Sequence, residues 1–297
     1  MIMILIVNQE KQGEENCFTC IQDAVNYLRP HGLEAVTIKV APGIYRERIM
    51  IPPHLTEINF MGSGENETII VNGLGAKDKD TLGNPLGTFK TATVEIFSDD
   101  ISFSNLTIEN DVGVGEKYGQ ALAVAAHGER IAFENVSLIG YQDTFYSSKG
   151  TQRFLHCRIE GDVDFIFGGG SVVFEDCVIH SRRNGYITAA STPKDALSGF
   201  VFLRCELTAD NEADKVYLGR PWRPYAHTVF YDCKLGRHIL TAGWDNWRNE
   251  ANEQTARYTE IHSHGEGASE ERVPWCNNWF EKDSHLIEDY CNRLQIK

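Results

Sequence analysis

Phe133-Glu-Asn-Val-Ser-Leu138, Phe154-Leu-His-Cys-Arg-Ile159 and Phe174-Glu-Asp-Cys-Val-Ile179 are three copies of one short pattern. An aromatic residue is followed by two variable positions, a small or apolar residue, another variable position and an aliphatic. The pattern recurs upstream as Phe103-Ser-Asn-Leu-Thr-Ile108 and downstream as Phe202-Leu-Arg-Cys-Glu-Leu207 and Phe230-Tyr-Asp-Cys-Lys-Leu235. The alternation of apolar and polar side chains within each copy has the period of two of a strand with one buried face. Successive phenylalanines lie 30, 21, 20, 28 and 28 residues apart. That spacing suits one turn of a solenoid with loops of variable length better than hairpins. The expected architecture is all-β: a single-stranded parallel β-helix with long loops flanking a groove.

In a parallel β-helix each inward position stacks on its equivalent one coil away, about 4.8 Å along the axis. Cys157, Cys177, Cys205 and Cys233 then form an interior ladder under Leu106 and Val136. Core packing as small hydrophobes is the expected role, because in-register residues on adjacent parallel strands are poorly placed for disulfides. Cys17-Phe-Thr-Cys20 has the spacing of half a metal or redox site. It lacks a second CxxC or paired histidines, and it leads into a short amphipathic helix expected over Ile21 to Leu28. No metal site and no cofactor are expected.

Apolar residues make up 42% of the 297 and charged residues 24%, with no linker or low-complexity tract, so one domain over 1–297 is expected. The formal net charge of −14 argues against nucleic acid and against a polybasic membrane contact. The opening Met1-Ile-Met-Ile-Leu-Ile-Val7 has no basic flank and suits a first strand better than a signal peptide. No run approaches the roughly 18 apolar residues of a membrane span. A cytoplasmic location is the resulting expectation, with secretion the alternative if a leader precedes this sequence in the precursor.

Register also gathers the polar residues that lie just before the repeat copies. Asp143 follows Phe133 by ten residues and Asp164 follows Phe154 by ten, so the two should face the same way about 5 Å apart. Two carboxylates that close do not both ionise readily; one keeps its proton while the other stays anionic, an acid and a nucleophile side by side. Gln120 and Gln142, 13 and 12 residues before Phe133 and Phe154, can offer amide donors to a developing oxyanion. Arg220 precedes Phe230 by ten residues, as Asp164 precedes Phe174, which puts it two coils further on and within reach of a carboxylate. Taken singly, each has a bland reading: Asp near Gly in a turn, Gln satisfying backbone, Arg capping a strand. Their convergence through one register favours a carboxylate-pair hydrolase.

The segments Gly43-Ile-Tyr-Arg-Glu47, Gly119-Gln-Ala121, Gly140-Tyr-Gln-Asp-Thr144, Asp164-Phe-Ile-Phe-Gly168, Leu218-Gly-Arg-Pro-Trp222 and Gly243-Trp-Asp-Asn-Trp247 together resemble the pectin methylesterases. The resemblance spans almost the whole chain and implies a right-handed parallel β-helix acting on the C6 methyl esters of methylated pectin or its oligogalacturonates. It makes Asp164 the nucleophile, Asp143 the general acid and then base, Gln120 and Gln142 the oxyanion donors, and Arg220 the residue that orients Asp164. It marks Tyr146, Phe167 and Trp222 as aromatic walls of the sugar groove, with Val163 and Tyr225 as further substrate contacts. Ile187-Thr-Ala-Ala-Ser-Thr192 follows the broad family pattern except in its last three residues, which vary among members, and the acidic stretch Thr208 to Lys215 has no obvious counterpart; both are expected in loops beside the groove. The rival readings are a β-helix glycosidase or lyase acting on the same polymer, which also uses paired carboxylates, and a non-catalytic polysaccharide binder. The latter has no need of a register-matched Asp pair with glutamines and an arginine.

Overall fold

The computed structural model describes residues 3–10, 15–28 and 35–278. Its strands pair in parallel from coil to coil, and one continuous register runs through the stack. Phe60, Phe103, Phe133, Phe154, Phe174, Phe202 and Phe230 are consecutive partners in that register. Their rings stack inside the coil at centroid spacings of 4.4–5.5 Å and within 17° of parallel. The ladder starts one coil earlier than the sequence pattern shows, because the Phe60 coil is longer at its corner: Phe60 pairs with Phe103, but the partner of Ile108 is Ile70, ten residues after Phe60. Leu5 and Ile38 continue the row to the N-terminal end.

The repeat copies are strands with a corner in them, which corrects the simple period of two. The third residue of each copy adopts a left-handed conformation: Asn105, Asn135, His156, Asp176, Arg204 and Asp232, with φ of 50–55°. The corner turns the chain, so the next inward residue comes three positions after the phenylalanine instead of two. Asn, Asp and His tolerate this conformation best. Arg204 does not share that tolerance and is held by hydrogen bonds from its guanidinium to Asp176 and Glu175.

Cys157, Cys177, Cys205 and Cys233 fill the inward position just past the corner, buried and free. Each thiol lies 3.3–3.6 Å from the phenylalanine carbonyl of the preceding coil, namely Phe133, Phe154, Phe174 and Phe202. A cysteine therefore packs like a small hydrophobe and also offers a weak donor to a carbonyl facing the core. Burial pushes the thiols of Cys157 and Cys205 well above their usual range, which keeps them protonated.

The helix Ile21–Leu28 covers the N-terminal end of the stack with Ile21, Ala24, Val25 and Leu28. Its first two N–H groups, those of Ile21 and Gln22, donate to the carboxylate of Glu47 at 3.0 and 2.9 Å. Gly43-Ile-Tyr-Arg-Glu47 is thus an end-closing motif, in which Tyr45 also donates its hydroxyl to the Ala41 carbonyl. Beyond Phe230 the ladder position passes to Glu260, which forms a buried two-bond pair with Arg272.

Of the two stretches expected in loops, the first is a loop only at its end, Ser191 and Thr192. Ile187 to Ala190 are buried residues of the strand Val178–Ala190. The acidic stretch helps to line a cavity of about 510 Å³ together with Lys234 to His238, Gly265 and Glu266. None of the expected catalytic or aromatic residues lines it, while the end of the stretch turns toward the Tyr186 coil, where the N–H groups of Asp214 and Lys215 donate to Oδ1 of Asn184.

The thiol ladder gives a direct test of this core. In the native protein a thiol reagent such as DTNB should label exposed Cys20 promptly, whereas Cys157, Cys177, Cys205 and Cys233 should react only on unfolding. Rapid native labelling of these four, read by peptide mapping, would contradict the packed interior.

Candidate active site

A second set of strands carries the chemistry on its outer face. Glu95, Ala125, Tyr146, Phe167 and Ala189 are successive register partners along it. Ala92, Leu122, Ala125, Phe167 and Ala189 form a small apolar cluster there, against which Tyr146, Trp222 and Trp247 pack. Tyr146 and Phe167 stack at 4.7 Å, and Phe167 meets Trp222 edge-on at 5.8 Å. These three expected wall residues are therefore brought together. Phe89, half exposed, extends the wall by its contact with Tyr146 at 4.9 Å.

Phe145 pairs with Ile166 and Tyr146 with Phe167, so Asp143 and Asp164 sit two residues upstream at equivalent places on adjacent coils. The N–H of Asp143 donates to the Val163 carbonyl at 3.1 Å. Both aspartates have left-handed backbones, φ 67° and 53°, and the register is irregular on either side of Val163. A break of this kind re-aims side chains that a regular strand would alternate in and out. A left-handed backbone is uncommon for a residue with a side chain, and Asp is among those that tolerate it best; here the surrounding coils hold it at both positions.

The two carboxylates are buried, 8% and 6% exposed, and they are not equivalent. Arg220 donates two hydrogen bonds to Asp164, Nε to Oδ1 at 2.8 Å and Nη2 to Oδ2 at 2.6 Å. It reaches across one intervening coil, with its own N–H on the Thr188 carbonyl. Burial raises the pKa of Asp164, and the hydrogen bonds and charge of Arg220 pull it back. Asp143 accepts no such pair of bonds from another described residue. Burial first, and then the charge of Asp164, hold its carboxyl well above the usual range. The geometry therefore keeps a proton on Asp143 and favours the anion at Asp164.

Gln120 and Gln142 also come together. The N–H of Ala121 donates to the Gln142 carbonyl at 3.0 Å, placing the two glutamines on neighbouring coils at the aspartates' end of the strands. Neither side-chain amide hydrogen-bonds to another described residue, so both donors remain unspent. Gly115 packs directly on the Gln142 side chain, and a Cβ there would overlap its Oε1.

The remaining two candidates stand apart. Val163 is a half-buried strand residue paired with Tyr186. Tyr225 sits at a left-handed turn, φ 68°; its carbonyl is held by Arg257 and its ring lies beneath Lys194. Neither belongs to the aromatic cluster. Several site residues escaped the sequence reading. The guanidinium of Arg220 lies between the rings of Tyr186 and Trp247, 3.8 Å from each centroid. Asp245 stands close enough to raise the pKa of Asp164. Asp162, buried and 3.8 Å from Arg183, adds a third carboxylate that raises Asp143. Trp247 lay within a quoted motif and Tyr186 beside one, but only coil register shows that they converge on Arg220.

A sequence model described as Pectinesterase matches residues 5–296. Pectinesterase 31 of Arabidopsis thaliana is 34% identical over 288 residues, which covers 95% of this chain and 89% of that protein. Among solved structures, pectin methylesterase from carrot superposes with a TM-score of 0.86 at 27% identity, covering 99% of this chain and 96% of that one. A pectin methylesterase mutant in complex with a hexasaccharide gives 0.85 at 28%, with 98% and 96% coverage. With the match running the length of the coil stack and over the carboxylate pair, the chain belongs to the pectinesterase family, carboxylic ester hydrolases that act on methylated pectin.

Proposed function

We propose that this chain demethylates homogalacturonan through an acyl-enzyme on Asp164, with Asp143 moving the protons. The observation that carries the assignment is the inequality of the two carboxylates: one is held by two hydrogen bonds from Arg220, and its neighbour is buried without a cation of its own. Ionised Asp164 attacks the C6 carbonyl of a methyl galacturonate. Negative charge collects on the carbonyl oxygen, where the amides of Gln120 and Gln142 can donate to it. Protonated Asp143 gives its proton to the departing methoxide, and methanol leaves. Asp143, now ionised, takes a proton from water, and the hydroxide cleaves the acyl-enzyme, returning both carboxyls to their starting states. Tyr146, Phe167 and Trp222 supply apolar faces for the sugar ring, and Val163 and Tyr225 are secondary contacts on either side.

Four buried free thiols in one ladder fit a reducing compartment. We place the protein in the cytoplasm on that ground and expect it to favour short methylated oligogalacturonates over polymer. Cell fractionation that finds the methanol-releasing activity outside the cell would overturn this location.

Asp164→Asn should lower kcat at least about a thousandfold while oligosaccharide binding survives, because the amide is a poor nucleophile. Asp143→Asn should cost about 10² to 10⁴. In the unsubstituted enzyme activity fades on the acid side as Asp164 takes up a proton and on the alkaline side as Asp143 loses one. The active window should therefore lie above the ordinary carboxylate range. Methanol release near the unsubstituted rate by either variant would remove that residue from the pair.

The same inequality should appear in stability. Folded Asp143 keeps a proton that the unfolded chain gives up near pH 4. Its contribution is fully present below that pH and is lost as pH rises through the raised folded value. Asp143→Asn removes this loss, so its Tm should exceed that of the unsubstituted protein at pH 8. Asp164→Asn instead strands the buried guanidinium of Arg220, and its Tm should fall below that of Asp143→Asn. Differential scanning calorimetry at pH 8 decides; equal melting of the two variants would refute the asymmetry.

A further inference from the structure

We propose that Tyr186, Trp247 and Asp245 are positioning residues that lock Arg220 in the plane of the Asp164 carboxylate, an inference that rests on Asp164 being the nucleophile. Arginine has a long, flexible stem, and two hydrogen bonds along one edge fix its distance from a carboxylate better than its tilt. Here both faces of the guanidinium are covered, by Tyr186 and by Trp247, each 3.8 Å from centroid to Cζ. A planar cation stacked on both faces can turn only about its own normal, and the two bonds to Asp164 stop that rotation. The carboxylate is then held in one orientation toward the ester.

Each jaw of this clamp is anchored separately. Tyr186 pairs with Val163, the residue before Asp164, and its ring stacks on Tyr217 at 5.3 Å and 10°. One jaw therefore rides on the coil next to the nucleophile and is backed by the coil that carries Arg220. Trp247 has a left-handed backbone, φ 59°, in a turn closed by its own N–H donating to Oδ1 of Asp245 at 2.7 Å. Asp245 is thus the hinge pin of the second jaw. The charged and titratable groups bearing on Asp164 are Arg220, Asp143, Asp245, Tyr186 and the buried phenol of Tyr258. Arg220 is the cation among them, and Asp245 opposes it. If the guanidinium tilts away, Asp164 therefore takes up a proton more easily and also loses its aim.

The alternative role for these aromatics is direct contact with the sugar, and the two roles separate in kinetics. Trp247→Leu, Trp247→Phe, Tyr186→Leu and Asp245→Asn would be measured on a methylated oligogalacturonate in the unsubstituted and Arg220→Lys backgrounds. Methanol release would be followed across pH, with folding checked by circular dichroism. Trp247→Leu and Tyr186→Leu should each lower kcat about ten- to a hundredfold, leave KM within about twofold, and move the acid limb of the profile to higher pH. Trp247→Phe, which keeps a ring face, should recover most of the loss. Asp245→Asn keeps the turn acceptor and removes an anion, so its acid limb should move to lower pH. In the Arg220→Lys background, which has no planar cation to clamp, the leucine substitutions should add little. A loss confined to KM with an unmoved acid limb, or effects that multiply in full with Arg220→Lys, would overturn the clamp. If Asp164→Asn is inactive in that case, the nucleophile assignment stands without the clamp; if Asp164→Asn is active, that assignment itself fails.

Discussion

Every feature of this molecule depends on parallel pairing of successive coils at zero stagger. A fixed register means that a position has the same neighbours above and below it through the whole stack, so an inward phenylalanine meets phenylalanines and an inward cysteine meets cysteines. The interior becomes a set of like-on-like columns, and ring stacking at about 4.4–5.5 Å follows from the strand spacing without separate design of each contact. The same constraint acts outside the core. It puts two aspartates side by side that are 21 residues apart in sequence, since Phe145 pairs with Ile166.

This placement explains how the site combines closeness with inequality. Coil register can only make neighbours alike, and two like carboxylates would share a proton without assigning it. The difference comes from residues that do not repeat. Arg220 enters from two coils away and hydrogen-bonds Asp164, reaching Asp143 only through its charge, while Asp162, next to the Asp164 coil position, adds negative charge to the surroundings of Asp143. The repeat supplies proximity and the exceptions to it supply direction.

What could be read from the sequence follows the same division. The phenylalanine and cysteine columns, the aspartate pair and the coil position of Arg220 are located by counting residues from one phenylalanine to the next, and the N-terminal helix shows separately in its own amphipathic spacing. The left-handed corners do not announce themselves in that count. They occupy a variable position, filled by Asn, His, Asp or Arg, and their effect is to turn an expected two-residue step into three. Phe60 was hidden for a related reason: its coil carries five extra residues at the corner, so the aliphatic partner of Ile108 is Ile70 and the short pattern is not seen. Tyr186 and Trp247 were hidden because they are off the repeat and meet only through a third residue, Arg220. The acidic stretch from Thr208 was a loop candidate by its novelty alone; its first residues belong to the strand Glu206–Ala209, which pairs on a different face of the coil, and its last residues meet Asn184.

The exchange of phenylalanine for Glu260 at the C-terminal end of the ladder limits how the molecule can grow. A solenoid has no intrinsic length, and an apolar column open at its end is a template for another coil, from duplicated sequence or from a second molecule. Here the column ends in a carboxylate bound by Arg272, whose guanidinium also donates to the carbonyls of Leu240, Thr241 and Gly267. Inserting a further phenylalanine-bearing coil at this point would press an aromatic ring against an ion pair and strip those carbonyls of their donor. The ion pair therefore ends the phenylalanine column inside the core, while the strand pairing itself runs on from Glu260 to Asn278.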